Sequence, residues 1–200
     1  MARLFALALF ITFSISATAA ACGNPLLWAM LFDRFPVAER VFKAELEARR
    51  LGDVRARTYT ARPGTPYHVW SFRSLERLAR DMNAAVTAEL APEETLTVLV
   101  ADEVAVVRFT GGAARAEVFS SAAIATLATQ SRPSSRSTSI GMLKAASRTS
   151  QNHLGSIDVY MTLNALYSGW RHGLTYERMN ELGLIFIKDS KKLQIISGVF

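Results

Sequence analysis

Three histidines, a single cysteine and two adjacent acid pairs are the side chains from which this chain could build reactive chemistry. His68, His153 and His172 are scattered. None stands four residues from another, and none has a cysteine or carboxylate at metal-ligand spacing, so no metal site is expected. A catalytic base also needs a partner that fixes its tautomer. His172 has the richest surroundings, in Gly169-Trp170-Arg171-His172-Gly173. Two glycines bracket an aromatic ring, a guanidinium and an imidazole, and the run is expected to be a loop. Such a trio can clamp an anionic group or stack on a ring, so Trp170, Arg171 and His172 are the candidate ligand-binding residues. The structural alternative is a glycine turn with Trp170 tucked into the core. His68 lies in Pro66-Tyr67-His68-Val69-Trp70, whose aromatic residues suit a staple at the start of a helix.

Activated nucleophiles are missing from the sequence. There is no G-x-S-x-G, and Gly111-Gly112 suits a hairpin turn and not a phosphate loop. No cofactor is expected. The pairs Glu93-Glu94 and Asp102-Glu103 sit at strand ends, where neighbouring side chains point to opposite faces, and read as turn or edge chemistry.

The first residues address the chain rather than fold it. Arg3 is the only charge before Asp33, Leu4 to Ile15 is almost wholly apolar, and Ser16 to Ala21 are all small. That is a signal peptide over 1–21, with cleavage after Ala19 or Ala21. The expected location is therefore outside the cytoplasm, periplasmic or secreted in a bacterial envelope. Cys22 follows the small-residue run and is the candidate lipidation site, although Ala19 stands where lipoproteins usually carry Leu. Acylation there would anchor the chain to the membrane. A lone cysteine cannot close an internal disulfide, so packing alone must hold the fold.

The formal net charge is +6. From Cys22 to Phe119 the 13 basic and 13 acidic residues cancel, whereas Ser120 to Phe200 carries 9 basic against 4 acidic residues. An excess of that kind favours an anionic membrane surface or an envelope protein as partner. Nucleic acid is not an expected partner of an exported chain. Composition gives no oligomeric state.

Elements to hold these residues follow from periodicity. Pro25 to Phe35 (PLLWAMLFDRF) is too apolar to leave in water, and either packs on the domain or lies in a membrane interface. Pro36 suits the first turn of a helix through Arg50, with Val37, Val41, Phe42 and Leu46 on one face and Gly52 closing it. A second helix shows Phe72, Leu75, Leu78, Ala79, Met82, Val86 and Leu90 at three- and four-residue steps, with Ser71 as its cap. The period then drops to two. Thr95 to Val100, Val104 to Thr110 and Ala113 to Phe119 read as an antiparallel meander. Residues 130–150 are Ser/Arg-rich and read as a flexible segment. Ile157 to Leu163 alternates as a strand. A helix from Thr175 to Leu182 and strands at Leu184 to Ile187 and Leu193 to Ile196 follow. The expected fold is α+β over 22–200 in one domain. N-terminal helices precede the antiparallel meander sheet, and a C-terminal strand-helix-strand-strand unit completes the sheet.

Two functions remain open. The first is an exported, non-catalytic binding module for a partner protein, a hydrophobic ligand or a membrane surface. The alternative is a hydrolase or transferase whose site is assembled from distant residues around His172 or His68.

Overall fold

A computed structural model describes residues 25–55, 57, 64, 66–119 and 157–200. The expectations for the signal peptide, Cys22, His153 and the 130–150 segment lie outside these residues. Helix α1 spans Pro25–Arg34 and α2 spans Pro36–Leu51. Pro36 starts α2 because its fixed φ suits a first turn whose N–H would be unpaired anyway. Gly52 ends it with φ 85°, a left-handed conformation that costs a glycine little. Helix α3 spans Tyr67–Ala88. Its buried apolar residues Leu75, Leu78, Ala79, Met82 and Val86 make the stripe expected from the spacing. It begins one turn earlier than Ser71, so Ser71 is inside the helix and does not cap it.

Strands β1 (Thr95–Val100), β2 (Ala105–Thr110) and β3 (Glu117–Phe119) form the expected meander. Val98 pairs with Val107, and Val107 pairs with Val118. Gly111 stands at the β2–β3 turn because the backbone leaves no room for a side chain. An added Cβ would lie 1.9 Å from the Ala91 carbonyl oxygen. The chain returns as β4 (Val159–Met161) on the other side of β1. Helices α4 (Leu163–His172) and α5 (Tyr176–Glu181), strand β5 (Ile185–Ile187) and helix α6 (Ser190–Val199) complete it. The strand order is β3-β2-β1-β4-β5.

The protein is α+β as expected, but the sheet is mixed. β4 runs parallel to β1, with Leu99 beside Tyr160. Short turns force antiparallel pairing. The stretch between β3 and β4 is long enough for a crossover, which allows a parallel partner.

The sheet is also covered on both faces, where alternation had suggested one buried face for β1 and β4. Leu96, Val98, Phe109, Val159 and Met161 face α3, α4 and α6. Leu99, Val106 and Tyr160 face the opposite way, against Leu31 of α1 and Ala38 and Val41 of α2. Left in water, each such side chain would forgo about 1.5–3 kcal/mol of burial free energy. Trp28, Leu31 and Phe32 of the PLLWAMLF run supply part of that cover. Trp28 packs on Phe42 at 4.9 Å between ring centroids, and Phe32 on Phe42 at 5.7 Å. The run is therefore seated on the domain. On α2 the buried positions are Ala38, Val41, Glu45 and Ala48, and Leu46 is exposed.

Two C-terminal elements differ in kind from expectation. Gly169 to His172 is the last turn of α4, not a loop. Gly169 is inside the helix because the Phe200 ring lies against it, only 2.5 Å from where a Cβ would sit. Gly173 alone is the terminator, with φ 66°. Leu193 to Ile196 lies within helix α6, not a strand. Asp189 caps it by accepting a hydrogen bond from the Lys191 N–H at 2.9 Å, and Lys192, Ile195 and Ile196 form its buried face.

Candidate functional site

Because β1 and β4 are parallel neighbours, the chain leaves both at the same end of the sheet. In sheets with parallel strands, ligands bind beyond those carboxyl ends, where the connections diverge. The turn after β1 carries Asp102 and Glu103, and the start of α4 after β4 carries Asn164. The two exits are tied together. The Ala101 N–H donates to the Met161 carbonyl at 2.9 Å, and the Leu163 N–H donates to Asp102 Oδ1 at 2.7 Å. The turn closes on Val104 with φ 47°, an unusual conformation for a β-branched residue.

Three further segments converge on these residues. Ser71, in the second turn of α3, donates its hydroxyl to Glu103. The carboxyl of Glu45 on α2 is 1 % exposed; it accepts a hydrogen bond from Asn164 Nδ2 at 3.0 Å and lies 3.5 Å from Arg49 Nε. Arg57 completes the group. Its backbone N–H donates to Asn164 Oδ1 at 3.2 Å. Its guanidinium lies over Trp70 at 4.9 Å from the ring centroid and donates from Nη2 to Ser71 Oγ at 3.2 Å. Nη2 is also 3.6 Å from Glu103 Oε1. The Arg57 side chain is 6 % exposed, yet its Nε and Nη1 find no hydrogen-bond partner among the described residues.

This crowding of carboxyls changes their chemistry. Burial pushes the Glu45 carboxyl up from 4.5 to about 7, and the charge of Asp102 adds to the rise; Arg49 and Asn164 oppose it. Burial likewise pushes Asp102 up to about 7, reinforced by Glu103 and opposed by the Leu163 N–H and Arg57. Glu103 is raised by burial, against the pull of Ser71 and Arg57. Protonation states near neutrality, assembled at a strand end, mark this as the candidate functional site. Among the described residues no group of three or more His, Cys, Asp or Glu is arranged to hold a metal ion.

The residues singled out from sequence lie elsewhere. Trp170 is half-buried and packs against the core. Arg171 pairs with Asp81 on α3. His172 is exposed and meets Tyr167 edge-on at 5.3 Å between ring centroids. The three sit side by side on the last turn of α4, away from the carboxyl cluster. His68 is exposed in the first turn of α3. Neither His68 nor His172 forms an ion pair with a carboxylate among the described residues, so the geometry that would have favoured catalysis around them is not found. Trp170→Ala is expected to cost about 2–3 kcal/mol, somewhat less than a fully buried aromatic truncation. His172→Ala is expected to change stability by less than about 0.5 kcal/mol, as exposed positions do. Urea denaturation of the two variants checks both values.

Sequence reasoning passed over the cluster. Asp102 and Glu103 lie in a turn, as expected, but there the rule that strand neighbours point to opposite faces does not hold. Glu45 stands four residues before Arg49, the spacing of a helical ion pair, and the two do meet, but with the carboxyl buried. The available signal was its spacing: Glu45 falls on the same stripe as Val41 and Ala48, which puts a carboxylate on the buried face.

The fold and cluster together define an α+β domain with a polar site at the carboxyl ends of a parallel strand pair. No protein-family model, curated protein or solved structure matches the chain.

Proposed function

We propose that this protein is an exported, non-catalytic binding module of a bacterial envelope, with its ligand end at the carboxyl ends of β1 and β4. The observation that carries this reading is Arg57, a guanidinium 6 % exposed with two nitrogens that find no acceptor among the described residues. Buried donors are ordinarily paired, and leaving one unmet costs about 1–3 kcal/mol. A bound ligand supplies the missing acceptors. The seating of α1 on the domain weighs against that run as the membrane contact. The basic C-terminal part and acylation of Cys22 stay available for a membrane surface or envelope partner.

Native mass spectrometry of the protein purified from its host's envelope tests this reading. The expected spectrum shows a mature chain starting at or near Cys22 and carrying a non-covalent mass, with any acyl chains reported in the same measurement. A chain that keeps residues 4–15 overturns the export assignment, and a chain without retained mass overturns the binding assignment.

A hydrolase or transferase assembled from distant residues is the second reading. The protonation of Glu45 and Asp102 near pH 7 favours it, since acid–base work needs groups poised near the working pH. Turnover of chromogenic ester or glycoside substrates that disappears in Asp102→Asn would establish it.

A further inference from the structure

Building on the binding reading above, we propose that Arg57 anchors the carboxylate of a small monocarboxylate ligand, held in the plane of its guanidinium by Nε and Nη1. Trp70 covers one face of that plane at 4.9 Å, so an acceptor approaches along the edges. Ser71 and Glu103 take only Nη2. Nε and Nη1 are left buried and without a partner among the described residues, between groups that converge from four other segments.

The charge of the ligand follows from what faces the site. Helix α2 contributes Glu45 and Arg49, the β1–β2 turn contributes Asp102 and Glu103, and α3 contributes Tyr67 and Ser71. Helix α4 contributes Asn164 and the Leu163 N–H. Tyr67 is itself pushed above its ordinary value by burial and by Glu103, so it stays neutral. With Glu45 and Asp102 protonated, two guanidinium charges face the single carboxylate of Glu103. One more negative charge neutralises the group. A phosphate dianion would bring a charge too many into a partly desolvated site, where an unpaired charge is costly. As pH rises, Glu45 and Asp102 ionise and the same site repels an anion. The ligand is therefore taken up below neutral pH and released above it.

The test follows the Arg57 Nε–H resonance in the 15N-labelled mature chain, assigned by its loss in Arg57→Lys. Sodium acetate is the probe, with sodium chloride and sodium sulfate, which like phosphate above neutrality is a dianion but stays one at both pH values, at matched ionic strength beside it. Acetate is expected to shift the resonance saturably at pH 6, and to bind roughly tenfold more weakly at pH 8. Chloride and sulfate are expected to leave it in place. Asp102→Asn, which is neutral at every pH, is expected to reduce the difference between pH 6 and pH 8, and it serves as the second variant if Arg57→Lys does not fold. A response to acetate no greater than to chloride overturns the proposal, as does sulfate binding as tightly as acetate. If acetate fails while protein from the envelope still carries a retained mass, the carboxylate assignment falls and the binding module stands. If both fail, both fall.

Discussion

Phe109→Ala is expected to destabilise the protein by about 3–5 kcal/mol, the cost of truncating a buried aromatic side chain. Phe109 is 2 % exposed near the end of β2, beside Leu96 of β1, on the face covered by α3, α4 and α6. It already borders a small void that it shares with Met82, Val86, Leu166 and Phe200. Removing the ring enlarges a space that is under-filled, and collapse onto it is resisted from two sides. Lys192 of α6 is held to Glu94 and to the Thr95 carbonyl at 2.6 and 2.8 Å, and Arg171 of α4 is paired with Asp81 of α3. The cavity cost is thus added to the lost transfer free energy instead of being relaxed away. For a domain of this size the midpoint of thermal unfolding should fall by about 10 °C. Phe186→Ala, at a position 39 % exposed, is the control and should cost less than about 1 kcal/mol. Chemical denaturation of both variants decides the matter. A loss below about 1.5 kcal/mol for Phe109→Ala would show that the helices close over the void and that this face is not a rigid core.

The same packing explains which parts of the fold the sequence could reveal. β1 runs over Thr95–Val100 as its alternation indicates, and α2 starts at Pro36 with Gly52 at its end, because those signals are local. The apolar stripe of α3 is equally local. Helices α4 and α6 were misread because what decides them lies far away in sequence. Gly169 looks like a turn residue until Phe200 is seen to occupy the place of its side chain. In α6 the buried positions are Lys192, Ile195 and Ile196. That is a helical spacing, but its first member is a lysine, so apolar residues alone trace only Leu193, Ile195 and Ile196 and mimic a strand. The lysine is buried because its amine reaches Glu94 and the Thr95 carbonyl, 97 residues away in the second case.

The candidate site was hidden for a related reason. Pattern reading assigns charged residues to solvent, and Glu45, Arg57, Asp102 and Glu103 all break that assignment together. Each is tolerated only because the others are present: Glu45 needs Asn164, Glu103 needs Ser71 and Arg57, and Asp102 needs the Leu163 N–H. Nothing in the sequence says that β4 returns parallel to β1, and without that pairing Asn164 and Asp102 have no reason to meet. The trio of Trp170, Arg171 and His172, by contrast, is conspicuous in sequence because rare residue types stand side by side. Proximity along the chain placed them on one helical turn, with Trp170 in the core and Arg171 engaged by Asp81.

A falling stability between pH 5 and pH 8 is the second large effect, and Glu45→Gln should remove much of it. The Glu45 carboxyl titrates at about 7 in the folded protein against an ordinary value of 4.5. Its folded value is raised, so the stability linked to it is fully present below pH 4.5. As pH climbs through this window, the unfolded chain ionises Glu45 while the folded chain still binds the proton, and the difference is lost as pH rises to about 7. The shift corresponds to about 3 kcal/mol by linkage. Asp102, raised from 3.8 to about 7, contributes in the same direction. The two do not add in full, because the charge of Asp102 is part of what raises Glu45. Glu47 and Glu94 are held below their ordinary values by Arg50 and Lys192, so their linked stability is lost only at pH values below this window. Gln at position 45 keeps an acceptor for Asn164 and replaces the carboxylic O–H with an N–H donor. At pH 5 the variant should therefore match the parent within about 0.5 kcal/mol. At pH 8 it should be the more stable of the two by about 2–3 kcal/mol. Urea unfolding at pH 5, 6, 7 and 8 measures the slope directly. A parent protein whose stability does not change over this range would show that Glu45 ionises freely in the folded state. A Glu45→Gln variant that retains the full slope would assign the titration to Asp102 alone.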